Sequence, residues 1–220
     1  MSRISSTEKN GITIVCIADT HELHREVDVP PGDILIHAGD FTMFSKNAAA
    51  ISDFNEWLGE LPHKWKIVVP GNHEFFLEAE PSRRSLISNA AVLIHERIEI
   101  MGLKVWGSPI TSLHGGAFGK SSPVDRAKLY DLIPMDTNIL ITHGPPHGIL
   151  DYTPQMVQHS GCPGLRDAVE HLKPQLHLFG HVHGAHGMLA CEETVFVNAA
   201  LLGPSGGIER PPIVLRISRL

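Results

Sequence analysis

Cysteine is scarce in this chain: only Cys16, Cys162 and Cys191, widely spaced and with no CxxC pair. That excludes an even disulfide framework and leaves any metal site without a thiolate pair. Unpaired cysteines fit a reducing interior, so the expected setting is cytoplasmic. Long apolar runs are missing too. "ITIVCIA", which follows the polar "MSRISSTEKNG", is too short for a signal-peptide core or a membrane span, so no membrane association is expected. A positive charge excess is absent: 18 Lys+Arg stand against 24 Asp+Glu, a formal net charge of −6. Strong nucleic-acid binding rests on phosphate neutralisation by basic groups, so it is not expected. No repeat, linker or low-complexity stretch divides the 220 residues, and a single domain over 1–220 is expected. Histidine, by contrast, is abundant and clustered, with 15 residues; it is the commonest metal ligand and the usual proton shuttle near neutral pH.

Several short runs rich in Ile, Val and Leu end in a polar cluster. "ITIVCIADTHELH" does so at Asp19 and His21, "DILIHAGDFT" at Asp40, and "WKIVVPGNHE" at Asn72 and His73. "TNILITHGPP" does so at His143, and "PQLHLFGHVHG" at His181 and His183. Such runs, bounded by Gly and Pro, predict strands buried on both faces. Helical spacing is expected over 45–61, with Ser45 as N-cap, and over 80–90 and 163–172, each with Pro near its start. Strand, loop, helix, strand is the signature of an α/β domain. Residues 91–110 predict a hairpin turning at "MG", and the C-terminus offers two more strands around a Gly/Pro-rich loop, so a second sheet with antiparallel pairs is expected.

In open α/β sheets ligands bind outside the carboxyl ends of the strands. Here five strand ends carry Asp19, His21, Asp40, Asn72, His73, His143, His181 and His183. A lone strand-end Asp is more often a turn or helix cap, and a lone His more often a packing residue. Eight such groups at five equivalent positions are different, because capping alone would favour Ser, Thr and Gly as well. Oxygen and imidazole donors without thiolate suit Mn, Fe, Zn, Co or Ni. Seven ligands are too many for one ion and suit two, bridged by a carboxylate and set to clamp a displacement at phosphorus.

These segments resemble the five motifs of the calcineurin-like metallophosphoesterases, in the same order: "DTH" (19–21), "GD" (39–40), "GNHE" (71–74), "THG" (142–144) and "GHVH" (180–183). Further stretches ("GDFT", "GSP", "THGPP", "SGC", "FVNA" and "PPIV") are similar to the metallophosphoesterase-domain-containing subgroup, which includes class III cyclic-nucleotide phosphodiesterases. Some animal members of that subgroup carry Gly at the position of His181; this chain keeps the histidine. The resemblance implies a four-layer sandwich of two mixed β-sheets flanked by helices. It also implies two divalent or trivalent ions (Mn, Fe or Zn), one held by Asp19, His21 and His183, the other by Asn72, His143 and His181, with Asp40 bridging. The implied activity is hydrolysis of small phosphodiesters, nucleotide-derived ones among them, by attack of a metal-bound hydroxide. The alternatives are a phosphomonoesterase, including protein phosphatase, or a nucleotide-binding scaffold of low activity. A small phosphoester is the expected partner, and a homodimer is left open.

Within "GNHE", the same resemblance makes Asn72 a ligand through its amide oxygen and turns His73 toward substrate, to steady the phosphate and protonate the departing alkoxide. Asp40 and His73 are therefore the catalytic candidates. Glu74 is expected to brace the turn, Gly71 to permit it, and Phe75 with Phe76 to anchor it. His24 and His147, just beyond motif residues, are expected to line the substrate mouth, and Asn198 to orient a substrate group or a ligand. His37 and His177 are read as packing residues. Many relatives carry a second Asp after "GD" to orient the catalytic imidazole; "FTMFSKN" has none, which leaves the partner of His73 unassigned.

Overall fold

Branched apolar residues fill the strands because both faces of each sheet are covered. The computed structural model describes residues 11–44, 47–112, 114–152 and 159–218. In chain order these form β1 (Gly11–Ile17), β2 (Ile34–His37), α1 (Ala49–Glu60), β3 (Trp65–Val68), α2 (Phe75–Ala79), β4 (Ala91–Val92), β5 (Glu96–Ile100), β6 (Leu103–Ser108), α3 (Pro123–Tyr130), β7 (Ile139–Thr142), α4 (Pro163–Leu172), β8 (Leu176–Phe179), β9 (Gly187–Cys191), β10 (Thr194–Asn198) and β11 (Ile213–Ser218). The first sheet has the order β11-β1-β2-β3-β4, and the second β5-β6-β7-β8-β10-β9. Both are mixed. β1 to β4 run parallel with β11 antiparallel at one edge. β6, β7, β8 and β10 run parallel, with β5 and β9 antiparallel at the two edges.

Alternation along the strands sorts the apolar side chains into three buried clusters. Ile14, Cys16, Ile36 and Ile67 from the first sheet meet Val105, Ile141, Leu178 and Val197 from the second. Val15, Ile17, Leu35 and Val68 point the other way, onto Ile51, Phe54, Trp57 and Leu58 of α1. Trp106, Leu140, Phe179 and Phe196 point outward from the second sheet onto Tyr130 of α3 and Leu165 and Val169 of α4. The result is helix, sheet, sheet, helix: the four-layer architecture that the family resemblance implies.

Local chemistry explains most element ends. α4 occupies the expected 163–172, with Pro163 at its first turn. α1 runs from 49 to 60 rather than from 45; Asn47 Oδ1 accepts from Ala49 N, 3.0 Å, at its start, and Ser45 lies outside the described residues. The stretch expected as a helix over 80–90 is only a 3-10 turn, Pro81–Leu86. The β5–β6 hairpin turns at Met101 and Gly102, whose φ values of 55° and 83° are the two positive angles of a type I′ turn. The two C-terminal strands take different sheets: β10 joins the second, and β11 returns to the first beside β1.

Two buried histidines mirror each other. His37 lies on the helix-facing side of β2, against Phe41 and Phe54, and its Nε2 is 3.0 Å from Thr20 Oγ1. Because His37 Nδ1 accepts from Gly39 N, the ring proton sits on Nε2 and is donated to Thr20. His177 on β8 does the same for Thr142, 2.9 Å away, whose hydroxyl is itself donated to Gly144 O. Burial pushes both imidazoles down to about 3. The fold therefore holds them neutral. The unfolded chain takes up a proton near pH 6.5 that the folded chain refuses until about pH 3. This stability is present above pH 6.5 and lost as pH falls toward 3. Replacing one such group, His177→Gln, is expected to flatten the acid slope by about one proton, about 1.4 kcal/mol per pH unit. Denaturant titrations of metal-stripped parent and variant between pH 5.5 and 4 would measure it; identical slopes would count against a neutral buried His177.

Candidate metal centre

Each motif residue lies one to five positions beyond the end of a parallel strand: Asp19 and His21 after β1, Asp40 after β2, Asn72 and His73 after β3, His143 after β7, His181 and His183 after β8. The two sheets therefore present their carboxyl ends to one another. Crossing hydrogen bonds join them. His143 Nδ1 donates to Ala38 O at 2.8 Å, and His181 N donates to an Asp19 carboxylate oxygen at 2.9 Å. Within the first sheet, Asp19 N bonds Gly39 O and His21 N bonds Asp40 O.

The backbone there is held in unusual angles. Asp19, His21, Asp40 and His181 have φ of 55°, 42°, 55° and 69°. Left-handed backbone costs roughly 1–3 kcal/mol at each such non-glycine residue and gathers where side chains must be aimed. Space is also limited. A Cβ at Gly39 would meet His143 Nδ1 at 2.5 Å, and one at Gly71 would press on Asp40 and His143. Glycine ahead of these ligands is thus a requirement of close approach. Glu74, fully buried, ties the two loops together. It accepts from Asp40 N, Thr42 N and Gly71 N at 2.9, 3.0 and 2.5 Å, and from Thr42 Oγ1. Burial and the neighbouring Asp40 raise its carboxyl to about 7. Leu77, fully buried, anchors the turn, with Phe76 partly packed beside it; Phe75 is only half-buried.

Each aspartate uses one oxygen on the scaffold and aims the other inward. Asp19 Oδ2 takes the His181 amide, while the buried Oδ1 has no hydrogen-bond partner; His183 Nε2 lies 3.4 Å from it. Asp40 Oδ1 takes the His73 amide at 2.8 Å. Its Oδ2 faces His143 Nε2 at 3.1 Å, His73 Nε2 at 3.8 Å and His21 Nε2 at 4.0 Å. The imidazoles are aimed from behind. Nδ1 of His143 faces a carbonyl, as does that of His21 (Thr42 O, 3.3 Å), so each Nδ1 carries the proton and each Nε2 offers a lone pair. His143 Nε2 is also 2.9 Å from Asn72 Oδ1. Three lone-pair atoms converging at 2.9–3.1 Å repel one another unless a proton or a metal cation lies among them.

Electrostatics agree. Burial works against charge on His143, yet Asp40 and Asp19 push it up to about 10, which reports how strongly this spot attracts positive charge. Burial would likewise raise the carboxyls of Asp19 and Asp40, but His183 and His143 hold both below the usual carboxylate range. Burial, helped by His143, presses His181 down to about 4. Donor atoms within 4.8 Å of one another form three sets: Asp19 with His21 and His183, Asp40 with His143 and His181, and His21 with Asp40 and His73. The first two, with Asn72 beside the second, are the two ligand groups that the resemblance implies. The chemistry of the donors and the unpaired buried oxygen fit a pair of divalent ions.

Three expected substrate contacts fare differently. His24 is fully buried, with Nε2 2.9 Å from Asp53 and its ring against Phe54 and Trp57. It packs under α1 and does not line a mouth, because the 3-10 turn after His21 carries it inward. Asn198 is also fully buried and spent on backbone: its amide donates to Leu150 O and Val182 O, and its oxygen accepts from Ala200 N. Its side chain is thus committed to backbone rather than to a substrate group, and it holds Val182 between the candidate ligands His181 and His183. His147 is exposed on the loop after β7, beside Asp151 and His159, and no described contact joins it to the ligand set. Sequence reasoning did not find the Thr20–His37 and Thr142–His177 braces or the carbonyls behind His21 and His143; only pairing across strands creates them.

A two-sheet sandwich whose facing strand ends enclose two carboxylates and five imidazoles has the architecture of a metallophosphoesterase. The calcineurin-like phosphoesterase model matches residues 12–185. The chain is 37% identical to UPF0046 protein K07C11.7 of Caenorhabditis elegans over 237 residues, covering all of this chain and 81% of that one. It is also 37% identical to human metallophosphoesterase domain-containing protein 1, covering 91% of this chain and 69% of that one. The crystal structure of TT1561 of Thermus thermophilus shares the fold, with a TM-score of 0.56 at 14% identity over 86% of this chain and 88% of that one. The chain belongs to the calcineurin-like phosphoesterase family, whose members are metal-dependent phosphoester hydrolases.

Asp40→Asn keeps the shape of the side chain expected to bridge and removes its charge. Zinc-loaded parent is expected to hold about two ions per chain and the variant to lose most of both. Elemental analysis after gel filtration reads this directly; a variant retaining full metal would contradict the bridging position.

Proposed function

We propose that this chain hydrolyses small phosphodiesters, nucleotide-derived ones among them, with a pair of divalent ions. The observation that carries the reading is Asp40 Oδ2, buried and faced by imidazoles from both sheets. When bound, such ions supply a water acidified toward neutral pH and neutralise charge on the phosphoryl oxygens. Asp19, His21 and His183 would hold one, and Asn72, His143 and His181 the other. His73 is set apart from these. Its side chain is 14% exposed, its backbone amide is fixed on Asp40, and its Nε2 reaches toward the same carboxylate oxygen at 3.8 Å. From there it would steady a phosphoryl oxygen and give its proton to the leaving alkoxide. Arg210 donates to His183 O at 2.9 Å and is the guanidinium hydrogen-bonded to a ligand residue among those described. With so little guanidinium or ammonium charge beside the candidate ligands, the site suits a singly charged diester better than a dianionic monoester. The alternative reading, a monoesterase, would need more such clamps. No helix among the described residues is long and apolar enough to cross a membrane; the three free cysteines support a cytoplasmic setting.

Metal-stripped protein is expected to hydrolyse bis-(p-nitrophenyl) phosphate only after Mn²⁺ or another divalent ion is restored, and faster than p-nitrophenyl phosphate. No turnover with any of several divalent ions would refute the proposal, and a faster monoester would move it to the alternative. His73→Ala should retain metal and lose roughly 10²-fold or more in kcat for esters with poor leaving groups, with smaller losses for p-nitrophenolate. Equal losses across leaving groups would remove the acid role.

A further inference from the structure

His73 has no hydrogen-bonding partner for the nitrogen that normally sets an imidazole's direction. Its Nδ1 is buried and has no partner among the described residues. The carboxylate that many relatives place after "GD" has no counterpart in "FTMFSKN". Something else must hold the ring, since an imidazole free to rotate about χ1 and χ2 would spend little time aimed at the reacting centre.

Two rings bound it. His21, a ligand candidate, meets His73 edge-on, with centroids 4.4 Å apart at 68°. Phe44 lies flat on the other side, with centroids 3.9 Å apart at 23°. Phe44 is otherwise hard to explain. Its side chain is 54% exposed, and its backbone is left-handed, φ 52°, an angle a bulky residue rarely takes. It belongs to neither outer core cluster. An exposed phenylalanine held in a costly backbone conformation, with its face on a histidine, is doing something other than filling a core. Its loop is also tied down: Met43 N donates to Glu22 Oε1, and Thr42 is bonded three times to the His73–Glu74 turn.

We propose that Phe44 is the positioning residue of His73, replacing a hydrogen-bonded carboxylate by an aromatic stack that clamps the imidazole against His21 and over Asp40. This rests on the acid role proposed for His73. A stack sets the plane of the ring without engaging Nδ1. Orientation here therefore comes from a surface loop rather than from the buried scaffold.

The test uses Phe44→Leu, which keeps apolar bulk and removes the aromatic face, and Phe44→Tyr, which restores it. Phe44→Leu is expected to hold metal as the parent does, with KM little changed. It should lose roughly tenfold in kcat on a diester with a poorly departing alkoxide and far less on bis-(p-nitrophenyl) phosphate; Phe44→Tyr should recover the loss. A second readout needs no turnover. In zinc-loaded protein the His73 Hε1 resonance, identified by its disappearance in His73→Ala, should lie upfield in the parent under the Phe44 ring current and move downfield in Phe44→Leu. An Hε1 position indifferent to the substitution overturns the stack. Equal losses on both esters, or no rescue by tyrosine, overturn the positioning role. Absence of turnover in the parent would count against the proposed activity alone, and the resonance then decides on Phe44.

Discussion

One carboxylate organises this molecule's chemistry. Asp40 leaves β2 in a left-handed turn, gives one oxygen to the His73 amide and presents the other to His143, His73 and His21. Both sheets are therefore read by a single buried charge. An isolated carboxylate in such a place would be expensive, by several kcal/mol. It is tolerated because imidazoles from both sheets surround it, and because the same arrangement suits cations.

The scaffold supports that carboxylate by several different means. Apolar strands with both faces covered set the positions of the two edges. Buried His37 and His177 hold threonines adjacent to the first and fourth motifs. Glu74 gathers three backbone amides from the turns after β2 and β3, and Asn198 does the corresponding work beside His181 and His183. These groups are polar and buried, and apart from His177, whose Nδ1 has no partner among the described residues, they are internally bonded, so they contribute geometry more than binding. Strained left-handed angles at four ligand positions are offset by this density of bonds and by the core behind it.

Much of the plan was legible in the residues. Runs of branched apolar residues ending in Asp, Asn or His marked β1, β2, β3, β7 and β8, and their ends are where the structure gathers the charged groups. α4 announced itself through Pro163 and its spacing. α3 carries an equally clear signal, Ser122 capping Asp125 N with Pro123 at the first turn. β9 and the separation of β10 from β11 left no trace in local pattern, since a strand's sheet is chosen by its distant partner. His24 and His147 looked alike as histidines following motifs, yet one is buried under α1 and the other exposed.

The sequence by itself determined which side chains could carry chemistry, their order, and that they fall at strand ends, because short-range pattern governs where strands stop and which residues follow. Tertiary structure alone decided which nitrogen of His21 and His143 faces inward, what orients each candidate ligand from behind, and which polar residues are spent on the scaffold. Those outcomes depend on bonds from His143 to Ala38, His21 to Thr42, Asn198 to Val182 and the stack of Phe44 on His73. Most of these partners come from different elements, and chain folding, not residue order, sets the distances between them.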